Sequence, residues 1–542
     1  MPMLSIPELP SLLYFLIWNT RRLLENSLFL QTGEIAVVAG LACMASALVL
    51  LSKHLWADRR HAGLFSLLVL TAFFGYGTAF EFIVPMLPGD LSPSGRHLLV
   101  LSATVASLLI FATLLRRTRL DLDRPLRILN AYLLIFVLLT GAEQLFVFAN
   151  RPARSTARVL PASEPSPRSA PETGYPDIYC LILDAYARED VLRDLYGFDT
   201  SSFTQFLRDR GFYVADRSTA NYPSTFASFL SMLEGRYIDD LLAPTLYPED
   251  FVARMAANPT MAAFARHGYH LITYKSGYYY TNVSPSGDFE TDQYPQTGEF
   301  TGTIIGRTIL PALASVLPST ILEALPPRYR ELAFPYEGHR DRIRYAFDTM
   351  PRASLASAPV FAFAHLFTPH APFVFDAQGR EVEPLYCFSY IDAINIRWNR
   401  TEEEYKRAYG NQLIWLQRRV RNLVDALLAS PANRPRVIIL ASDHGPGCYF
   451  RYGDIDASHM KERFANLIAV YCQDRRYGRL RQDLSLVNLF RSIRSEYLGE
   501  DLPPLPDRNI FLAGPDFVPP LASGRSVLVD VTNRVQQGPP PR

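Results

Sequence analysis

Cysteine is scarce in this sequence: Cys43, Cys180, Cys387, Cys448 and Cys472 are the five among 542 residues, and no two stand in a CxxC pair or at zinc-ribbon spacing. A thiolate zinc module and a CxxC redox motif are thereby excluded. Cys180 and Cys472 lie in apolar, strand-like runs and read as small buried hydrophobes, while a Cys387–Cys448 disulfide stays open. Charge of one sign is lacking too. The net charge is +1 with no long basic or acidic run, so nothing offers a footprint for nucleic acid, and partners held by bulk charge are excluded. The N-terminus lacks a small-residue cleavage site, so its apolar stretch does not read as a removable signal peptide.

What is present is a mixture. Hydrophobic residues make up 49% of the chain and mean hydropathy is slightly positive at +0.03, yet 20% of residues are charged. Together with a length too great for one core, this predicts a membrane part joined to a soluble part. Four segments have spanning length: Ile35–Leu51, Ala62–Val84, His97–Leu115 and Ile128–Ala149. A fifth, Leu4–Trp18, is broken by Pro7 and Pro10 and either spans or lies in the interface. Lys53, Arg59 and Arg60 follow the first strong span, and Arg116, Arg117, Arg119, Arg124 and Arg127 separate the third from the fourth. By the positive-inside rule both loops are cytoplasmic, and the last span delivers everything after Asn150 to the outside. Glu81 and Glu143, inside or near the ends of spans, face a cavity or partner or else lie at the interface.

The expected division is a transmembrane domain of four or five helices over 1–150, a Pro/Ser-rich linker over 151–174, a catalytic domain over 175–510 and a C-terminal tail over 511–542. In the soluble part, apolar runs at Ile178–Leu183, His270–Tyr274, Val360–His365, Val437–Leu440 and Leu467–Tyr471 read as strands. They alternate with helical patterns at Arg188–Tyr196, Ser202–Arg210, Pro259–His267, Glu402–Leu428 and Leu486–Tyr497. Such alternation predicts an α/β fold with a doubly wound sheet. The apolar stretch Phe300–Leu325 admits three roles: a cap over the site, a lipid-touching surface, or plain core or lid.

Several strands end in chemistry. Ile178–Leu183 runs into Asp184; Val437–Leu440 runs into Ser442–Asp443–His444–Gly445; Val360–His365 runs into His365 and the Pro369–His370 turn. In α/β sheets the carboxyl ends of strands are where ligands bind. A carboxylate and imidazole side by side form half a metal site, or else a capped turn with a surface His. In Asn221–Leu233, Pro223 and Ser224 are helix-start residues, which places Thr225 in a first turn, where free N–H groups and the dipole favour an anion. On local evidence alone the favoured reading is that Ser224 or Thr225 is simply a cap.

This ordered set resembles the sulfatase-like branch of the alkaline phosphatase superfamily over roughly Tyr175–Asn509. The set is a carboxylate after the first strand, a hydroxyl at a helix start about forty residues on, His in a PHxP turn, and SDHG after a late strand. With membrane spans ahead, the layout is similar to lipoteichoic acid synthases and lipid A phosphoethanolamine transferases. The resemblance implies that Asp184, Thr225, Asp443 and His444 hold one divalent metal, zinc or manganese, with Thr225 also the nucleophile. It implies that His370 binds the phosphate or assists the leaving group, and that His459 and, more weakly, Lys275 bind substrate.

Two departures refine this. No C/S-x-P-x-R motif surrounds Thr225, so the formylglycine of true sulfatases is not expected. A second metal set is not evident, although His365 and Asp376 are available to one. The expected activity is transfer of a head group, phosphoethanolamine or phosphoglycerol, from a membrane phospholipid to a cell-surface glycan or glycolipid through a phospho-Thr intermediate. The enzyme would sit in the cytoplasmic (inner) membrane with its catalytic domain outside. Two alternatives stand beside it: the same site passing the group to water as a phosphodiesterase or phosphatase, and a non-catalytic membrane-anchored interaction protein.

Overall fold

The computed structural model describes residues 6–25, 32–88, 91–118, 121–149, 174–241, 254–278, 281–283, 304–317, 320–321, 335–356, 358–382, 388, 390, 401–430, 434–514 and 527–537. Residues 151–173 of the expected linker, Cys387, and the final five residues lie outside these. The chain divides into two compact units.

The first unit holds α1 (Leu9–Glu25), α2 (Thr32–Leu55), α3 (Arg59–Ile83), α4 (Pro93–Arg117) and α5 (Asp123–Ala149). Asp58 caps α3 by accepting from Arg60 N, and Ser92 caps α4 by accepting from Gly95 N, ahead of long apolar runs that need no other start signal. Among the described residues, Arg59–Met86 and Ser94–Arg117 are long and apolar enough to cross a membrane. Leu98, Leu109, Ile110 and Leu114 stand exposed along α4. Glu143 lies within α5, but its side chain is outside what is described.

The apolar stretch after Phe300 groups with this unit and not with the sheet domain. Ile304 is fully buried in a cluster with Leu41, Leu70, Phe73 and Phe74. Gly77 N donates to Arg307 O and Ile309 N donates to Phe73 O, each at 2.9 Å, so the segment is hydrogen-bonded along α3. Arg307 also lies 4.0 Å from Glu81, giving that acidic residue a cationic partner. A short helix, α11 (Leu310–Val316), then places Ala312 in the cluster of Tyr76, Phe80 and Val100.

In the second unit, β1 (Asp177–Leu183) is followed by α6 (Glu189–Tyr196), α7 (Ser201–Asp209), β2 (Tyr213–Val214), α8 (Thr225–Glu234), α9 (Ile238–Leu241), α10 (Pro259–Arg266) and β3 (His270–Thr273). After the excursion into the first unit come α12 (Pro335–Thr349), β4 (Val360–Leu366), α13 (Glu402–Ala429), β5 (Arg436–Ala441), α14 (Met460–Phe464), β6 (Ile468–Cys472), α15 (Leu486–Tyr497), β7 (Ile510–Ala513), β8 (Val527–Asp530) and α16 (Thr532–Gln537). The strand order is β2-β6-β5-β1-β4-β3. β1, β4 and β5 are buried at every position, as continuous apolar runs covered on both faces must be.

β1 pairs in parallel with β4 on one side and β5 on the other, Ile182 lying opposite both His365 and Ala441. This register brings the carboxyl ends of three adjacent parallel strands to one edge, which is where open α/β sheets bind ligands. β6 runs antiparallel to β5, so the sheet is mixed. The reason is connectivity. The chain leaves β5 at the site edge, makes α14 there and re-enters the sheet from the same edge, without the crossover that a parallel neighbour needs.

The segment read as a tail departs from expectation. β7 and β8 form an antiparallel hairpin, and Phe511, Val531 and Val535 pack with Phe450, Met460 and Phe464 in one buried cluster. Described elements of this unit therefore extend to Gln537, and the boundary at 511 cuts through a strand. Cys448 is a buried free thiol, and Cys180 and Cys472 are buried free thiols inside strands. The proposed disulfide partner, Cys387, lies outside the described residues.

Candidate active site

Asp184 follows β1 directly, and its position is fixed by the turn after it. Ala185 adopts a left-handed backbone conformation, φ 61°, uncommon for a residue with a Cβ. Its carbonyl accepts from Tyr409 OH at 2.9 Å, and its N–H donates to Asp443 Oδ1 at 3.3 Å. The Ser442–Gly445 turn after β5 is braced likewise. Ser442 Oγ donates to His444 O at 2.7 Å and accepts from Tyr186 N at 2.8 Å. Gly445 is needed for close approach: a Cβ there would lie 1.9 Å from the carbonyl oxygen of Glu462.

Thr225 is the first residue of α8, with Ser224 as the N-cap. Ser224 makes no side-chain capping bond, so the plain-cap reading does not describe it. The helix starts here because Ser224 is extended, at φ −129° and ψ 140°, and it stops at Gly235 in the left-handed region. Its apolar body, including Phe229, Leu230 and Leu233, is buried, which seats the N-terminus rigidly at the sheet edge.

These elements converge. Thr225 Oγ1 is 3.0 Å from His444 Nε2. His444 Nε2 is 3.4 Å from Asp443 Oδ2 and 3.8 Å from Asp184 Oδ1. His444 Nδ1 is 2.9 Å from Gly445 O, an acceptor, so Nδ1 carries the proton and Nε2 offers its lone pair inward. Asp184, Asp443, His444 and His365 are all buried, at no more than 1% exposure, and Thr225 is 8% exposed.

His365, at the end of β4, is drawn into the same cluster, its Nε2 lying 3.2 Å from Asp184 Oδ2 and its Nδ1 2.8 Å from Thr281 Oγ1. Ligand-type atoms of Asp184, His365 and Asp443 lie within 4.8 Å of one another. Burial pushes the Asp443 carboxyl up to about 7, the neighbouring Asp184 charge adds to the rise, and His365 and a hydrogen bond from Thr225 oppose it. Burial pushes His365 down to about 3. Two carboxyl groups and two imidazoles gathered without exposure are a donor set suited to a divalent cation such as zinc or manganese.

The remaining predicted residues fall at different distances from this centre. His370 is buried, its ring centroid 6.2 Å from that of His444. Its Nδ1 pairs with Ala371 O, and its backbone N–H donates to Asp184 O at 3.1 Å. Gln412 holds the turn by donating to His370 O at 3.0 Å and accepting from Val374 N at 2.7 Å. His459 is the N-cap of α14, where its Nδ1 accepts from Glu462 N at 3.1 Å. Lys275 follows β3 at the same sheet edge, beyond β4 from β1. Asp376 is engaged in a tight turn, accepting from Gln378 N, Arg380 N and Arg380 Nε.

Sequence reasoning missed Arg463, Gln412 and Tyr409, which brace the site from helices; it placed His365 at the same sheet edge as Asp184 and Asp443 but named it as a ligand only for a second metal.

No protein-family model matches the sequence, and no curated protein matches it. Among solved structures, the chain is similar to the integral membrane lipooligosaccharide phosphoethanolamine transferase A (EptA) of Neisseria meningitidis, at 13% identity over 91% of this chain and 94% of that one, TM-score 0.38. It is also similar to the C-terminal periplasmic domain of EcEptC from Escherichia coli in complex with zinc, at 13% identity over 68% and 96%, TM-score 0.39. A third is the C-terminal periplasmic domain of phosphoethanolamine transferase EptC from Campylobacter jejuni, at 13% identity over 60% and 89%, TM-score 0.37. Two of these three carry the name phosphoethanolamine transferase.

Proposed function

We propose that this chain is a membrane-anchored, metal-dependent phospho-group transferase of the sulfatase-like branch. It would move a lipid head group, phosphoethanolamine or phosphoglycerol, to a hydroxyl of a cell-surface glycan or glycolipid. The observation that carries the reading is Thr225 Oγ1 at the first turn of a buried helix, 3.0 Å from His444 Nε2 and beside the Asp184–Asp443–His365 cluster.

Asp184, Asp443, His444 and Thr225 would hold the cation, with His365 a further donor from the neighbouring strand. When bound, such an ion supplies Lewis-acid stabilisation of phosphoryl charge. The other work falls to the chain itself. Thr225 Oγ1, whose alkoxide the N-terminus of α8 favours, forms a bond to phosphorus, and its proton is lost to water. The P–O bond to the glycerol oxygen breaks in line, and diacylglycerol leaves as the alcohol after taking a proton, for which His370 is the candidate donor. An acceptor hydroxyl then reverses the first step and regenerates Thr225. The N-terminus of α8 adds free N–H groups where phosphoryl charge develops.

The basic loops flanking the spans support an extracytoplasmic site. The test uses the full chain in vesicles holding phosphatidylethanolamine or phosphatidylglycerol labelled in the head group, with Zn2+ or Mn2+ supplied. Label should leave one lipid and appear transiently as a phospho-adduct on Thr225, with transfer lost on chelation and in Thr225→Ala. Full turnover by Thr225→Ala would refute the nucleophile. Release of label to water with equal efficiency, whatever glycan or glycolipid is present, would refute transfer in favour of hydrolysis.

A further inference from the structure

Arg463 is among the largest fully buried side chains, with a relative exposure of 1%. An Arg is seldom buried to this degree unless its five N–H donors are directed at specific acceptors. Three of its donors reach two separate segments. Nε donates to Pro223 O at 2.6 Å, Nη1 donates to Gly445 O at 3.0 Å, and Nη2 lies 3.2 Å from His444 Nε2. Its backbone joins in, because Arg463 O accepts from Gly445 N at 2.7 Å. The guanidinium also lies over the Phe450 ring, 4.5 Å from the centroid, which fixes the plane of the fork.

Pro223 is two residues before Thr225, and Gly445 is the residue after His444. These segments are more than two hundred residues apart in sequence, and they carry the nucleophile and the metal-binding half of the site. We propose that Arg463 is a positioning residue that locks the Thr225 segment to the Asp443–His444 turn and thereby sets the spacing between nucleophile and metal. The inference rests on the reading of Thr225 as nucleophile and of the buried cluster as a metal site.

The chemistry of the fork explains why an Arg is required. A planar guanidinium satisfies two carbonyls in fixed directions at once, whereas a Lys ammonium on its flexible stem is a single point that cannot span Pro223 O and Gly445 O together. The role is positional: Arg463 acts through the Pro223 and Gly445 carbonyls. Its own helix is held from the other side, where Tyr196 OH donates to Glu462 Oε1 at 2.5 Å and Tyr449 N donates to Glu462 Oε2 at 2.9 Å. Lys461 pairs with Asp190 at 2.7 Å, which ties α14 to α6. The fork is therefore mounted on an anchored helix.

The test compares wild-type full chain with Arg463→Lys and Arg463→Met, reading steady-state kcat and KM for the labelled lipid, the Zn2+ dissociation constant by chelator competition, and hydrogen exchange over Asn221–Phe226. Both variants should lose roughly 10- to 100-fold in kcat per folded molecule and weaken Zn2+ binding by roughly the same factor, while donor KM stays within about threefold. Exchange over Asn221–Phe226 should accelerate. If Arg463→Met does not accumulate as folded protein, Arg463→Lys carries the test, since it keeps the charge and most of the stem. A wild-type Zn2+ constant and wild-type kcat per folded molecule in Arg463→Lys would overturn the proposal, whatever its melting temperature. Wild-type chain that binds neither Zn2+ nor Mn2+ would instead overturn the reading of the site, and this proposal with it.

Discussion

Replacing Gly445 by Ala tests how closely α14 is pressed against the turn that carries Asp443 and His444. The added Cβ would lie 1.9 Å from Glu462 O, 3.0 Å from its carbonyl carbon and 3.4 Å from Ala465 O. These are backbone atoms, so no side chain can swing aside. Since ordinary contact begins near 3.4 Å, turn and helix must part by about 1.5 Å. Overpacking of this kind costs about 1–3 kcal/mol. Parting would also stretch the 2.7 Å bond from Gly445 N to Arg463 O, a loss of about 1 kcal/mol. A total of about 3 kcal/mol should lower the melting temperature of the second unit by roughly 5–10 °C. Because the shift occurs one residue from His444, turnover should fall roughly 100-fold, as expected for a misplacement of about 1 Å at a reacting centre. The assay is thermal unfolding of the detergent-solubilised chain, together with transfer of labelled head group. Gly478→Ala serves as control, since a Cβ there meets nothing within 4 Å. The reasoning is refuted if Gly445→Ala matches that control in both melting temperature and turnover.

Two further outcomes follow from the same contacts. Burial alone would raise the Asp190 carboxyl, but hydrogen bonds and charge from Arg188 and Lys461 outweigh it and hold the group well below its ordinary value. A depressed carboxylate contributes stability that is present above the unfolded value near 3.9 and lost as pH falls through the folded value. Asp190→Asn should therefore cost about 1–2 kcal/mol at pH 7 and flatten the acid limb of a stability–pH profile, whereas an unchanged limb counts against the pairing. Phe229, fully buried in α8 with its ring 4.4 Å from that of His365, supports both core and site. Phe229→Ala should cost about 3–5 kcal/mol in chemical denaturation, and a loss below about 1 kcal/mol would show that α8 is seated by other contacts.

Much of the architecture is written in local pattern. Val360–Leu366 and Arg436–Ala441 are strands because they are short apolar runs bounded by turns, and their periods and lengths leave little choice. Glu402–Ala429 begins at Thr401 because Thr401 and Glu404 form a capping box. α12 was missed because its sequence is rich in Arg, Asp and Tyr and shows no clean apolar stripe, so its burial depends on its neighbours. The hairpin at the C-terminus was missed because β8 is short and partly exposed, and a two-stranded ribbon acquires its stability only from packing on Phe450 and Phe464.

The sequence by itself determined which groups are candidates for chemistry and where along the chain they lie: a carboxylate at a strand end, a hydroxyl at a helix start, and Asp–His–Gly after a late strand. Each is set by residue type and immediate neighbours, over distances that a turn or a cap can span. Only the tertiary structure decided which of those groups meet. It brought His365 to Asp184 through the β1–β4 register, reversed β6 through the short return by α14, and sent 304–317 to pack along α3. It also brought Arg463 to Pro223 and His444. Such pairings depend on burial and hydrogen bonding between segments hundreds of residues apart, and no local period in the chain encodes them.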